Sequence, residues 1–211
     1  MEHWHERIQA VAEARAASPE VGGVLTMACV AWPWVYVIHV GNCRCYLQRG
    51  AALEQITTDH TLAQQLVDSG VLPAHEAATS RLSTVLWNAL GGGLDDLRPE
   101  VYKARLHAGD TLLLCTDGLP KHVPDDDIRA LLQVKEPARE TCRQLVEAAS
   151  RAGGTDNITV IVARLRDPVP DTVAAEEAVV PTAVSLATAV PAEPEGPAVP
   201  AARAEGGVPG A

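Results

Sequence analysis

Two aspartates stand where a carboxylate can do chemistry. Asp117 follows the apolar run TLLLC and precedes Gly118. Asp156 sits in GGTDN, just before the apolar run ITVIVARL. A carboxylate at a strand end is carried by a rigid element and projects into whatever cleft the sheet borders. If the two strands pair, the side chains converge, and two carboxylates on rigid supports suit a hard cation such as Mg²⁺ or Mn²⁺. Each aspartate also has a plainer reading. Asp-Gly is a common turn dipeptide, and Gly-Gly-Thr-Asp-Asn reads equally as a connecting loop. Other chemical signatures are missing from the chain. It has no HExxH and no GxSxG elbow, and its glycine triple at 91–93 lacks the Lys-Ser/Thr of a phosphate loop. His3 and His5 are two residues apart on an expected helix, so they do not share a face.

The elements that must carry these residues can be read from periodicity. A helix is expected over 5–17, where Ile8, Val11 and Ala12 fall at helical spacing. No charged residue lies between Glu20 and Arg44, a run long enough to cross a bilayer. Its flanks are rich in β-branched and aromatic residues, and Trp32-Pro33-Trp34 interrupts it, so it reads as two antiparallel strands and a turn, not a membrane span. CRCYLQRG and AALEQIT read as the next two strands. TLAQQLVDSG reads as a helix capped by Thr58 or Asp59 and stopped at Gly70. The stretch 73–83 is a polar connection, VLWNALGGG ends in a loop, and PEVYKARL alternates like a strand. TLLLC is a short buried strand. Helices then start at Pro124, with acids at the positive end, and at Pro137, before the last strand NITVIVARL. Strands in two runs, with helices between and after them, give an α+β pattern of helices packed on antiparallel sheets.

The chain has 211 residues, 47% of them hydrophobic, which is enough for one domain with a real core. Phe is absent, so Ala, Val and Leu carry the apolar mass. A net charge of −10 argues against nucleic acid as the main partner, because a phosphate backbone wants a basic surface. Residues 1–167 form the expected domain. Residues 168–211 hold 8 of the 15 prolines with six acids and one base, and read as an extended, mostly disordered tail. The five cysteines form no CxxC pair, and no basic segment followed by an apolar stretch opens the chain. Both features suit a reducing, cytoplasmic setting.

Five segments resemble, in order, the signatures of the type 2C (PPM) protein serine/threonine phosphatases. IHVGNCRCYLQRG resembles "VGDSRxYLxR", ITTDHTLAQQLVDSGVL resembles "LTxDHSLVQxLVxxG", and STVLWNALGG resembles "NVLTRALG". GDTLLLCTDGLPKHV resembles "GDxLLLCSDGLxxxV", and GGTDNITVIVA resembles the "GGxDN" segment. Together they cover about 22–165. The resemblance implies two antiparallel sheets packed face to face with helices outside. It implies a binuclear Mn²⁺ or Mg²⁺ centre at one end, whose activated water attacks a phosphoserine or phosphothreonine of a protein substrate. A serine/threonine kinase or its targets are the partners such an activity implies. Residue by residue, Asp117 and Asp156 match metal aspartates, Gly118 the tight turn after the first, and Asn157 the residue that anchors the second loop.

This chain also departs from the pattern. The family's acidic early strand and its "DGxGGH" loop, whose Asp bridges both metals, do not occur in these residues. The chain is therefore expected to be an N-terminally incomplete member, a partial β-sandwich lacking the first strands, with an incomplete metal site and impaired activity. The other expectation is a non-catalytic, phosphatase-like binding or regulatory module. GNCR replaces "GDSR", which puts neutral Asn42 where bacterial members help hold an additional metal. Leu25 stands where the family's "GMGTT" has a glycine.

Overall fold

A computed structural model of the chain describes residues 6, 7, 10, 22–92, 96–154, 156–167 and 183–186. Glu6, Arg7 and Ala10 are helical, and the rest of the helix expected over 5–17 lies outside the described residues. The uncharged run folds as the hairpin its pattern predicts. β1 (Gly22–Gly23) is followed by β2 (Leu25–Ala31) and β3 (Trp34–Val40), and β2 and β3 pair from Leu25↔Val40 to Ala31↔Trp34. The Trp32–Pro33 turn contains a cis peptide bond. Among the described residues, no helix is long and apolar enough to cross a membrane.

The remaining elements follow in the expected order, with two strands, Leu90–Gly91 and Ala183–Leu186, in addition. They are β4 (Arg44–Arg49), β5 (Ala52–Gln55), α1 (Leu62–Asp68), β6 (Leu90–Gly91), β7 (Glu100–Arg105), β8 (Thr111–Cys115), α2 (Asp125–Gln133), α3 (Ala138–Arg151), β9 (Ile158–Arg164) and β10 (Ala183–Leu186). Two short 3₁₀ turns, Ala74–Glu76 and Arg81–Thr84, lie within and at the end of the polar connection. One sheet has the order β10-β9-β8-β4-β5, a second has β2-β3-β7, and β1 pairs with β6. All pairings are antiparallel.

The central strands β4, β8 and β9 of the large sheet are packed on both faces. Tyr46, Leu113, Cys115, Ile158, Val160 and Val162 pack with Ile128 and Leu132 of α2 and with Cys142, Leu145, Val146 and Ala149 of α3. The alternate residues Cys45, Leu47 and Leu112 face the second sheet and meet Val35, Val37 and Leu106. That double burial is why TLLLC reads as a continuous apolar run without alternation. Each fully buried Leu, Ile or Val contributes about 1.5–3 kcal/mol over its exposed state.

Three expectations differ from the structure. The cap of α1 is Thr61, whose hydroxyl accepts from the Gln64 N–H at 3.2 Å. Asp59 cannot serve, because its carboxylate is taken by Arg44, with three hydrogen bonds at 2.7–3.1 Å. The glycine-rich stretch read as a loop contributes β6, where Gly91 pairs with Gly22. A Cβ at Gly22 would lie 3.1 Å from the Gly92 Cα, so the chains approach there without side chains. One strand interrupts the segment 168–211, expected to be disordered. Ala183–Leu186 lies between Pro181 and Pro191, contains no proline, and pairs with Ile158–Ile161. The other residues of 168–211 lie outside the described residues.

Next to the inter-sheet core sits a polar layer. His39 and His60 meet at a tilt of 54° with ring centroids 4.6 Å apart, and His60 also meets Trp87 at 4.7 Å. The His39 Nε2 hydrogen bonds to the Thr58 carbonyl at 3.0 Å, and the Thr26 hydroxyl lies 2.8 Å from Nδ1. The Gly41 N–H donates to the His60 Nδ1 at 3.1 Å, and the His60 Nε2 lies 3.3 Å from the Glu100 carboxylate. Burial, and then the neighbouring His60, push His39 down to about 4, against the opposing pull of the Thr58 carbonyl, Asp59 and Glu100. Its folded-state value is below its ordinary 6.5, so the unfolded chain binds the proton more tightly. Stability from this group is complete above pH 6.5 and is lost as the pH falls through about 4. Urea unfolding at stepped pH is expected to show a loss of roughly 3 kcal/mol across that window. In His39→Gln the slope should flatten; an unchanged slope would remove His39 as its source.

Candidate metal centre

β8 and β9 are neighbours, paired from Thr111↔Arg164 to Cys115↔Val160. The C-terminal end of β8 and the N-terminal end of β9 therefore lie side by side, and Asp117 and Asp156 leave the sheet at the same end. Thr116 extends the pairing beyond the last strand residue. Its N–H donates to the Thr159 carbonyl at 3.0 Å, its hydroxyl accepts from the Thr159 N–H at 3.0 Å, and that hydroxyl donates to the Asn157 carbonyl at 3.0 Å. Asn157 anchors its loop through the backbone. Besides that carbonyl, its N–H donates to the Asp156 Oδ1 at 2.8 Å, while the residue itself is exposed.

Gly118 lies in the turn after Asp117, as the sequence suggests. The demand for glycine comes from contact. A Cβ there would lie 2.9 Å from the Asn157 carbonyl oxygen and 3.2 Å from the Ile158 side chain. The two aspartate loops touch backbone to backbone at this point.

Asn42 follows Gly41 in the turn between β3 and β4. It is buried, and its amide nitrogen donates to the Asp117 Oδ2 at 2.8 Å. In this arrangement Asn42 presents a donor, which supports the carboxylate, whereas a metal would need its oxygen. Gly41 is held in place by its φ of 105° and by Val24, whose Cγ1 would lie 2.1 Å from an added Cβ. Leu25, at the position where the family pattern has a glycine, is half-buried and paired with Val40.

The sequence reading did not single out Lys121. Its Nζ lies 2.5 Å from the Asp117 Oδ2 and 3.4 Å from the Asp156 Oδ2. The Lys121 N–H bonds to the Asp117 carbonyl at 3.2 Å, which wraps Asp117 to Lys121 into one helical turn. Four-residue spacing on such a turn brings an acid and a base together, and TDGLPK carries that signal in the sequence. Burial alone would lower the Lys121 ammonium, but the hydrogen bond to Asp117 and the charges of Asp117 and Asp156 hold it above its ordinary range. Side-chain exposures of 18% for Lys121, 25% for Asp117 and 52% for Asp156 place the cluster at the mouth of a crevice rather than in the core. Asn42, Arg44, Asp59, Ser83, Asp117 and Lys121 line that crevice.

The two carboxylates are hard oxygen donors on rigid supports, which suits a divalent cation. The set does not fit a binuclear centre as it stands. Among the described residues, no group of three His, Cys, Asp or Glu side chains is placed to hold a metal ion, and an ammonium sits between the two carboxylates.

Comparison with known proteins places this arrangement. Residues 78–166 match the family model described as Stage II sporulation protein E (SpoIIE). The serine/threonine protein phosphatase PstP of Mycobacterium tuberculosis is 39% identical over 147 residues, which are 70% of this chain and 28% of that protein. The serine/threonine phosphatase stp of Listeria monocytogenes is 30% identical over 158 residues, 75% of this chain and 62% of that protein. The chain thus spans less than two thirds of the length of both relatives. The crystal structure of the M. tuberculosis phosphatase superposes with a TM-score of 0.70 at 36% identity, covering 77% of this chain and 68% of that one. A structure of the PstP catalytic domain in complex with two manganese ions matches with a TM-score of 0.67 at 34% identity, covering 77% and 67%. The chain belongs to the PPM family of serine/threonine phosphatases.

Gly118→Ala tests the loop contact. The methyl group must push either Asn157 or its own turn aside, at a cost of roughly 1–3 kcal/mol. Denaturant titration is expected to read that loss, and a neutral effect would show that the loops are not in contact.

Proposed function

We propose that this chain is the C-terminal part of a metal-dependent protein phosphatase domain that removes phosphate from phosphoserine and phosphothreonine in proteins. The observation that carries the reading is the pairing of β8 with β9, which sets Asp117 and Asp156 on touching loops. Family membership and a relative solved with two manganese ions support it. Asp117 and Asp156 are the proposed ligands of Mn²⁺ or Mg²⁺. Asn42 orients Asp117 by donating to its Oδ2, and Thr116, Gly118 and Asn157 hold the two loops at a fixed separation. A bound divalent cation would supply charge to neutralise phosphoryl oxygens and would acidify water. Phosphoproteins, and the kinases that make them, are the proposed partners, with a cytoplasmic location proposed from the cysteine usage.

These 211 residues contain no counterpart of the family's bridging aspartate, so the chain by itself is proposed to bind metal weakly and turn over slowly. The second reading, a phosphatase-like module that binds without hydrolysing, is favoured by the ammonium already seated between the two carboxylates.

Steady-state assays of residues 1–211 on a phosphothreonine peptide with Mn²⁺ are expected to stay near background. Losing a metal ligand should exceed the roughly 10–100-fold cost of disturbing a supporting partner. Turnover that does appear should need Mn²⁺ and vanish in Asp156→Ala. Robust turnover insensitive to that substitution would refute the assignment of Asp156.

A further inference from the structure

We propose that Lys121 is a tethered cation that occupies the carboxylate pair, so that a divalent ion must displace it before binding between Asp117 and Asp156. The inference rests on the reading of those two aspartates as the cation-binding pair, and it adds how access to that pair is controlled.

Three observations carry it. First, one ammonium reaches both carboxylates, at 2.5 Å and 3.4 Å. Second, the Asp117 oxygen that it contacts, Oδ2, also accepts from the Asn42 amide at 2.8 Å. A metal on that oxygen would face two hydrogen-bond donors, one of them charged. Third, the fold does not depend on this contact to hold the loops together. The Thr116 hydrogen bonds to Asn157 and Thr159 and the close approach at Gly118 already do so. Lys121 therefore adds charge compensation rather than a structural link.

The chemistry permits exchange. The lysine head is a compact point charge on a flexible four-carbon stem. With the side chain 18% exposed at the mouth of the crevice, it can swing into water without unfolding its turn. While it is in place, its positive charge repels an incoming cation and holds the oxygens that the ion needs. Without divalent ions, it spares two neighbouring carboxylates from facing each other unpaired. The centre is thus closed at low divalent concentration and opens only when the ion outcompetes the tether.

The test uses the full 211-residue chain and Mn²⁺ alone. Mn²⁺ is titrated calorimetrically into the wild type, Lys121→Met and Lys121→Arg, and free Mn²⁺ is followed by electron paramagnetic resonance. Lys121→Met is expected to bind about 10–100-fold more tightly, the scale on which groups around metal ligands alter affinity. Lys121→Arg, which keeps the charge, should stay near the wild type. Melting adds a second readout. Lys121→Met without metal should melt lower than the wild type, and Mn²⁺ should raise its Tm by more. If Lys121→Met does not fold, Lys121→Gln replaces it. Equal or weaker Mn²⁺ binding in the neutral variant, with the wild type still binding through the aspartates, overturns the role of Lys121 alone. Mn²⁺ binding that persists unchanged in the Asp117→Ala, Asp156→Ala double variant overturns the reading of the pair, and this inference with it.

Discussion

The antiparallel pairing of β8 with β9 is the contact on which the rest of the candidate centre depends. Leu113 faces Val162 and Cys115 faces Val160 along the ladder. Because the sheet is covered by α2 and α3 on one side and by β2-β3-β7 on the other, opening that ladder would expose apolar surface on both faces. Beyond the ladder, Thr116 continues the pairing through its N–H and its hydroxyl. Thr116 donates to Asn157 and accepts from Thr159, so the loops are joined by directed bonds right up to the two aspartates. The separation of the carboxylates is thus set by the core and does not rely on their own interactions.

The charges of the molecule divide accordingly. Arg44 and Asp59 are almost buried, with side-chain exposures of 10% and 13%, and are joined by a fork of hydrogen bonds. Arg44 also donates to the Tyr46 hydroxyl, which donates to Asp125 at the start of α2 at 3.2 Å. That chain ties β4 to the segment before α1 and to a helix. Removing one partner of such a buried pair typically costs about 3–5 kcal/mol, because the other charge is left without compensation. The pairs of Arg143 with Glu140 and Glu147 are exposed on α3 and contribute little. Lys121 belongs to neither group. It is partly buried, but it bridges loops that are already fastened, so its main effect falls on the electrostatics of the carboxylates.

The His39–His60 layer shows the same economy of position. It lies at the end of β3, next to Gly41, and the Gly41 N–H bonds to His60. Gly41 in turn precedes Asn42, which reaches Asp117. A buried polar layer, a glycine turn and an amide donor thus follow one another along the chain up to the candidate centre. Each has a hydrogen-bond partner from a distant part of the chain, as buried polar groups in a packed interior generally do.

Much of this was legible in the sequence because the signals are local. The apolar runs, the Trp-Pro-Trp turn, the helix starts at Pro124 and Pro137 and the aspartates at two strand ends are all read within a few residues, and the structure carries the strands and helices there. The cap of α1 was misplaced because Asp59, a good cap by type, is claimed by Arg44 fifteen residues away. Gly118 follows Asp117 in the sequence as a turn glycine would, but what excludes a side chain there is a carbonyl of Asn157 in another loop. Asn42 and Asp117 are 75 residues apart, and nothing in the local pattern of either announces their hydrogen bond. Lys121 had a local signal toward Asp117, but its contact with Asp156 exists only because two strands pair. The sequence by itself determined which segments form elements and which carboxylates stand at their ends, because periodicity and turn chemistry act over short stretches. Only the tertiary structure decided what faces those carboxylates, because that depends on which strands become neighbours.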